Sequence, residues 1–523
     1  MALRRLSRRS ALVSLAAAAS TVAVAPHLAH RPSDGLPAVW SPAVRAALAQ
    51  PLGELRVGEN LLLQSLDSNL AANGSATSGL GISETLFRVS PTMRFEGWIA
   101  STLEPIDALN WRVTLRQDVT FHDGSPVDAE AVKSSLETSM AAQPGTTSII
   151  PAGTAFTANG YTLEIRTPVP VGSMASSLSA FNFAIRKTAA DGAILYTGPF
   201  MPTEFVERQS LTLVAYPGYR DGGAKTARIL VRSIQDVNTR VLALQAGDID
   251  IAHALLPSDM AKLRTAGFQV HAFPFGRQNV LIFNVNRPPL DDVTVRRAVA
   301  LAIDREALVA GVMDGTGTPA YALAPDTLGL QGLVNTQSFA PDEARALLDA
   351  AGWVAGSDGI RTRNGQRLQF TIGSYVQRAE LGPLATAMRD QLLDVGIDTL
   401  LEVYPDINKT VAENTFDAIL YSYVTVPYGD VNRALLSLYT PSGNNKDRYS
   451  NPQVNALFQQ YNEAQDPALR LQLVEQIQLS IGQDTPIVYI INPYQISATS
   501  ARVQNFLTHP LETYKIDAQL ASS

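Results

Sequence analysis

The chain has 523 residues, with 41 Lys and Arg against 48 Asp and Glu, a net charge of −7 and 46% hydrophobic residues. That length exceeds one compact core and predicts two or three domains of ordinary soluble composition. The absence of cysteine excludes disulfides, thiolate metal sites, a cysteine nucleophile and a lipid-bearing N-terminal cysteine.

Arg4, Arg5, Arg8 and Arg9 form a basic cluster ahead of an apolar run from Ala11 to Ala25. The run is shorter than a membrane span and fits an export signal. Ser7-Arg8-Arg9-Ser10-Ala11-Leu12 carries the paired arginines of a twin-arginine signal, with Ala11 where phenylalanine is usual. A Sec signal is the alternative. Ala23-Val24-Ala25 and Ala47-Leu48-Ala49 both suit cleavage, and Pro26 after the first favours the second. Removing residues 1–49, with six arginines and one aspartate, takes the net charge from −7 to −12. An acidic body without a basic cluster argues against nucleic acid and anionic membranes. No later segment has the apolar length of a span.

Gly53 to Gly58 reads as a first strand, Ser68 to Gly81 as a polar loop, and Ile82 to Phe87 as a helical run. Trp111 to Arg116 alternates apolar and polar residues, as a half-buried strand does, and Val119 to Phe121 extends it. His122-Asp123-Gly124-Ser125-Pro126 is a turn, and Asp128 caps a helix to about Met140. Tyr161 to Arg166 is a partner strand for Trp111, and Ser173 to Leu178 a short helix. Gly247-Asp248-Ile249-Asp250-Ile251 has two aspartates one residue apart, but they alternate with Ile249 and Ile251 as on a half-wet strand and no glutamate stands at calcium-loop spacing, which argues against a metal site. Val280 to Phe283 is a buried strand stopped by Pro288-Pro289. Asp291 or Asp292 caps a helix with Val295, Ala298, Val299 and Ala302 on one face; Asp304 caps the next. Alternating strands and helices then continue to Thr485–Ile490, predicting a second α/β lobe.

Several of these segments closely resemble the family 5 extracellular solute-binding proteins, the peptide-, nickel- and opine-binding receptors of ABC importers. The resemblance rests on Asn284-Val285-Asn286, Val295-Arg296-Arg297-Ala298 and Ala302-Ile303-Asp304-Arg305. It rests equally on Leu115-Arg116-x-x-Val119-x-Phe121-His122-Asp123-Gly124-x-Pro126, Tyr196-Thr197-Gly198-Pro199-Phe200 and Tyr449-Ser450-Asn451-Pro452-x-Val454. It implies an α/β, two-lobed periplasmic-binding-protein-like clamshell (type II, cluster C-like) with an extra small domain. The expected borders are 1–49 export segment, 50–95 lobe I, 96–195 small domain, 196–275 lobe I, 276–490 lobe II and 491–523 lobe I.

It also implies a cleft. Asn73 and Ser75 stand where an early lobe I strand meets it. Phe416 to Tyr423 enters a loop, Val424 to Arg433, that faces it in the family. Asp430 stands where peptide receptors pair an aspartate with the ligand's ammonium group, and helix capping is its other reading. Arg433 suits a two-pronged carboxylate contact. Tyr421, Tyr423 and Tyr428 offer flat faces with polar tips. The expected ligand is a small zwitterionic molecule, an oligopeptide or an opine- or metallophore-like compound, passed to a membrane permease. A nickel chelate is the alternative, since no histidine lies in Tyr439–Asp447, where nickel receptors carry theirs. No H-E-x-x-H, G-x-S-x-G or P-loop is present, so no enzyme activity and no cofactor are expected. A secreted carboxylate-dependent hydrolase is the rival class. The expected state is a periplasmic monomer without lipid anchor.

Overall fold

A computed structural model describes residues 53–523 except 61–63, 71–72, 221, 441–445 and 465. The export segment lies outside the described residues. The longest strand, Ile487–Thr499, has 13 residues and serves both lobes. Its first part lies antiparallel to Arg277–Phe283, with Leu281 opposite Val488. Its second part lies antiparallel to Gln269–Pro274, with His271 opposite Ser497. Only Phe275 and Gly276 separate these two partners in the chain. The sequence reading ended this strand at Ile490. Its buried apolar run continues through Ile491 and past Pro493, so the strand itself makes the crossing between lobes.

In lobe I, Glu54–Glu59 runs parallel to Arg228–Ser233 and Ile251–Ala252. In lobe II, Gln369–Ser374 runs parallel to Asp398–Val403 and Ala418–Val424, and Ala418–Val424 pairs antiparallel with Arg277–Phe283. Helices cover the lobe II sheet. Val295 and Val299 of Val293–Ala302 join Leu384, Met388 and Leu392 of Leu381–Asp394 in one core. Leu435, Leu438, Phe458 and Ile477 form another with Tyr423, Tyr439 and Tyr489. Asp292 and Asp304 cap their helices, accepting from the N–H groups of Thr294 and Ala307 at 2.9 and 3.0 Å. The small domain is a separate four-stranded sheet in which Trp111 faces Ile165, packed against Ala129–Ala142. Asp128 caps that helix at 2.9 Å.

Three local expectations change. Asn73–Gly79, read as loop, is a short helix of small residues, mostly buried. Ile82 to Phe87 is not helical, because tertiary partners take its polar groups: the Glu84 carbonyl accepts from Ile185 N–H, and its carboxylate is fully buried. Val119 to Phe121 makes only an isolated bridge from Thr120 to Pro126.

The motifs that carried the resemblance are architectural. Arg305 is fully buried and donates to the carbonyls of Tyr489 at 2.7 Å and Ile303 at 2.9 Å. Burial lowers its pKa to about 10. Arg296 donates to the carbonyls of Leu290 and Asp484 at 2.8 and 2.6 Å. Both arginines therefore bind orphan carbonyls around the entry to the crossing strand. His122 is buried, with Nε2 3.0 Å from the Gly198 carbonyl oxygen, in keeping with a turn. Asp250 accepts a two-pronged contact from Arg56 at 3.0 and 3.1 Å, so its role is an ion pair within lobe I.

Two carboxylates, Glu84 fully buried and Glu512 partly buried, tie segments together. Glu84 accepts from Arg220 at 2.8 and 2.9 Å, Tyr219 at 2.9 Å and Thr197 at 3.0 Å. Glu512 accepts from Arg277 Nε and Nη2 at 2.9 and 2.8 Å, and from Arg378 at 3.3 Å. It thereby joins the C-terminal segment to the crossing and to lobe II. Burial opposes its charge, but Arg277 and Arg378 hold its pKa well below the carboxylate range.

Removing Glu84 leaves the Arg220 guanidinium buried without its carboxylate. Glu84→Ala is expected to cost about 3–5 kcal/mol in denaturant unfolding. Arg112→Ala, in the exposed Arg112–Glu164 pair, is expected to cost under about 1 kcal/mol. Equal losses would contradict this reading. Because the Glu512 pKa is depressed, its contribution is complete above the unfolded value of 4.5 and is lost as pH falls below it. Glu512→Gln should lower the melting temperature at pH 7, and the gap from native should shrink as pH drops from 5 to 3. A gap that is constant across that range would show that the pair contributes nothing.

Candidate functional site

A cavity of about 1310 Å³ lies between the small domain and lobe II. Tyr421 and Tyr423, two apart on Ala418–Val424, share a strand face and both line it. Tyr428 and Asp430 follow on the next turn, and Arg433 lies on Val431–Tyr439. Phe458 and Tyr461 come from Pro452–Glu463. The facing wall includes Thr146, Ser148, Ser173 and Asn182 of the small domain, and Arg277 of the crossing also lines the cavity.

The loop and the small domain touch directly. Tyr428 donates its hydroxyl to Asn182 Oδ1 at 2.8 Å, and its carbonyl accepts from Ser176 Oγ at 3.3 Å. Its ring meets Phe181 edge-on, with centroids 5.3 Å apart. Tyr428 has φ 54°, in the left-handed region that non-glycine residues rarely adopt. Arg433 Nε donates to Ser176 Oγ at 2.8 Å and Nη2 donates to Ser177 Oγ. Ser173 caps the helix Met174–Leu178 that carries both serines. The guanidinium fork assigned by sequence to a ligand carboxylate is thus engaged across the cleft.

Asp430 Oδ1 accepts from Asn432 N–H at 2.9 Å, so the residue caps its helix while lining the cavity. Burial lowers the Arg433 pKa, opposed by Asp430, with no direct ion pair between them. Burial raises Tyr423 and Tyr428 to about 12, keeping both phenols neutral donors. Lys446 lines the cavity at 5% exposure, its ammonium 5.2 Å over the Tyr421 ring. Burial lowers its pKa, with a smaller contribution from Arg448. The neighbouring Asp447 is 1% exposed and accepts from Tyr449 N–H at 3.0 Å; burial pushes its carboxyl up to about 7.

Asn73 and Ser75 do not join this group. They sit on Asn73–Gly79, and neither lines the cavity. Asn73 is buried, because this small-residue helix packs under Phe181. Sequence reasoning missed Lys446, Arg277 and the small-domain wall. Lys446 lies inside Tyr439–Asp447, a stretch inspected only for histidine. The wall residues are polar and unmarked, and their proximity to lobe II exists only once the domains meet. No lining residue is histidine, and among the described residues no group of three His, Cys, Asp or Glu is placed to hold a metal ion. No helix among them is long and apolar enough to cross a membrane.

Comparison with known proteins agrees with the geometry. The profile of the bacterial extracellular solute-binding proteins, family 5 (middle), matches residues 94–446. The nickel-binding protein NikA of Staphylococcus aureus is 24% identical over 445 residues, covering 84% of this chain and 88% of its own. The probable D,D-dipeptide-binding periplasmic protein DdpA of Escherichia coli is 27% identical over 438 residues, covering 80% and 83%. The crystal structure of a nickel ABC transporter protein from Bacillus halodurans superposes with a TM-score of 0.74 at 30% identity, covering 90% of this chain and 99% of that one. The profile match spans well over half the sequence and includes the small domain, the strand Arg277–Phe283 and the cavity loop, so this chain belongs to the bacterial extracellular solute-binding proteins, family 5.

Proposed function

We propose that the chain is the exported receptor of an ABC importer, capturing a small organic guest between its lobes and delivering it, unaltered, to a membrane permease. The observation that carries this is the cavity itself, whose walls come from the small domain and from lobe II, while a two-strand crossing joins lobe II to lobe I. A site divided in this way is completed only when the domains close, and a guest touching both walls shifts the population toward closure. Tyr421, Tyr423 and Tyr428 supply flat apolar walls with neutral hydroxyls. Asp430 presents a carboxylate for an ammonium group. Arg433 acts as a latch on Ser176 and Ser177 rather than as a ligand clamp. The hinge is placed at Phe275–Gly276 and at the facing residues Asn492–Tyr494.

The relatives bind different guests, a nickel species in one and dipeptides in another. With no histidine in its lining, this cavity would take nickel as a chelate whose own donors hold the metal. A peptide-sized zwitterion uses the same aromatic walls. Hydrolysis of the guest is not part of this reading.

Native mass spectrometry of protein purified from its exporting host is expected to show a non-covalent guest, released on denaturation and unchanged after prolonged incubation with fresh protein. Conversion of the guest to products would end the receptor reading. Arg433→Ala is expected to release that guest about tenfold faster or more, since it removes two charge-assisted hydrogen bonds across the cleft. An unchanged release rate would mean that the latch does not hold the closed form.

A further inference from the structure

Three cations line the cavity, and two are already satisfied. Arg277 is locked to Glu512 by a two-pronged ion pair. Arg433 is hydrogen-bonded to two serines. Lys446 differs. It is nearly excluded from water, and no carboxylate among the described residues lies within ion-pair reach of its ammonium. Asp447, adjacent in sequence, is committed to Tyr449 N–H and carries a carboxyl raised toward neutrality. Asp430 caps its own helix, and Glu463 is exposed and accepts from Gln459 at 3.0 Å. The face of Tyr421 gives Lys446 a cation–π contact, which is weaker than an ion pair. A buried ammonium without a counter-ion is costly unless something else supplies the charge.

We propose that Lys446 is the ligand's anchoring cation: it takes a carboxylate of the guest, whose body lies along the Tyr421 ring. This rests on the receptor reading and names the guest's chemistry, an organic carboxylate. Asp430 lines the same cavity and offers a carboxylate to a cationic group, so the charge pair expected from the sequence is kept, with Lys446 in place of Arg433. The carboxylate can belong to a peptide C-terminus or to the chelator of a metal complex. Both present the same two oxygens to an ammonium.

The test uses native mass spectrometry of unliganded full chain with two pairs of probes. One pair is a tryptic casein digest and the same digest with its carboxylates converted to amides. The other is nickel(II) with L-histidine and nickel(II) with histidinamide. The native chain is expected to retain masses from the carboxylate form of one pair, which identifies the source, and at least tenfold less from its amide form. Lys446→Gln should lose at least tenfold in retention, and Lys446→Arg should keep most of it. Slower acylation of Lys446 by an amine-reactive ester in the native chain, with the carboxylate probe and not the amide, gives a second reading that needs no variant. Equal retention by Lys446→Gln and native chain, or of amide and carboxylate forms, overturns the proposal and leaves the receptor standing. Retention of nothing from either pair by the native chain overturns the peptide and nickel-chelate sources named here, while the guest carried from the exporting host decides the receptor reading separately.

Discussion

The structure depends on one antiparallel pairing. Gln269–Pro274 and Arg277–Phe283 run back along Ile487–Thr499, and this ribbon is the covalent bridge between the lobe I and lobe II parts of the sheet. A two-strand bridge transmits bending with little cost where its ladder is interrupted, and the pairing shifts register between Asn279 and Val280. Gly276 sits in the short break between the two partner strands. A Cβ there would come within 2.6 Å of Val426 Cγ2, so the loop leading to the cavity packs directly on the crossing. The crossing and the Tyr428 loop thus share one packed contact, with Thr425 N–H donating to the Gly276 carbonyl at 3.0 Å.

Buried charge ties the segments of each lobe to one another. Glu84 and Arg220 close a network between lobe I and the base of the small domain, reaching the Trp98 carbonyl at 3.3 Å. Arg296 and Arg305 fill carbonyl clusters on either side of the crossing strand's entry. Such groups are expensive to separate from their partners, which favours domains that move as bodies over domains that deform. The contacts across the cleft are of another kind. Tyr428 with Asn182 and Arg433 with the two serines are polar contacts to neutral partners, individually modest. The lobes can part without stranding a buried ion pair at the latch.

Much of this was legible in the sequence because it is local. Caps at Asp128, Asp292 and Asp304 announce their helices, and alternation at Trp111–Leu115 announces its strand. The segment Ile82–Phe87 was misread because its apolar spacing imitates a helix, while what fixes it is Arg220, 136 residues away. The small residues of Asn73–Gly79 suggested a loop because small side chains promise little packing, yet they let that helix approach Phe181 closely. The tyrosines that the sequence singled out, Tyr421, Tyr423 and Tyr428, all line the cavity. The partition of roles within it was not legible. Asp430 and Arg433 are three residues apart with opposite charges, which suggests a pair of ligand clamps. Sequence could not show that Ser176 and Ser177 would arrive to occupy the arginine.

That substitution of roles follows from geometry and charge together. An arginine at the cavity rim, held by hydroxyls of the opposite domain, keeps its charge without a counter-ion because each hydroxyl accepts from a cation at no desolvation cost of its own charge. A lysine deeper in the wall has no such hydroxyls and only a ring face beside it. The closed cavity thus contains one cation whose hydrogen-bonding capacity is spent on closure and one whose capacity is not. If both were clamped by protein, closure would need no guest, and the equilibrium would not report its presence. If neither were, closing would bury two unpaired charges and be opposed. On the proposed role of Lys446, an anionic guest would supply the charge that the protein leaves unpaired and so favour the form in which both walls meet it, which is how a ligand shifts a two-state equilibrium.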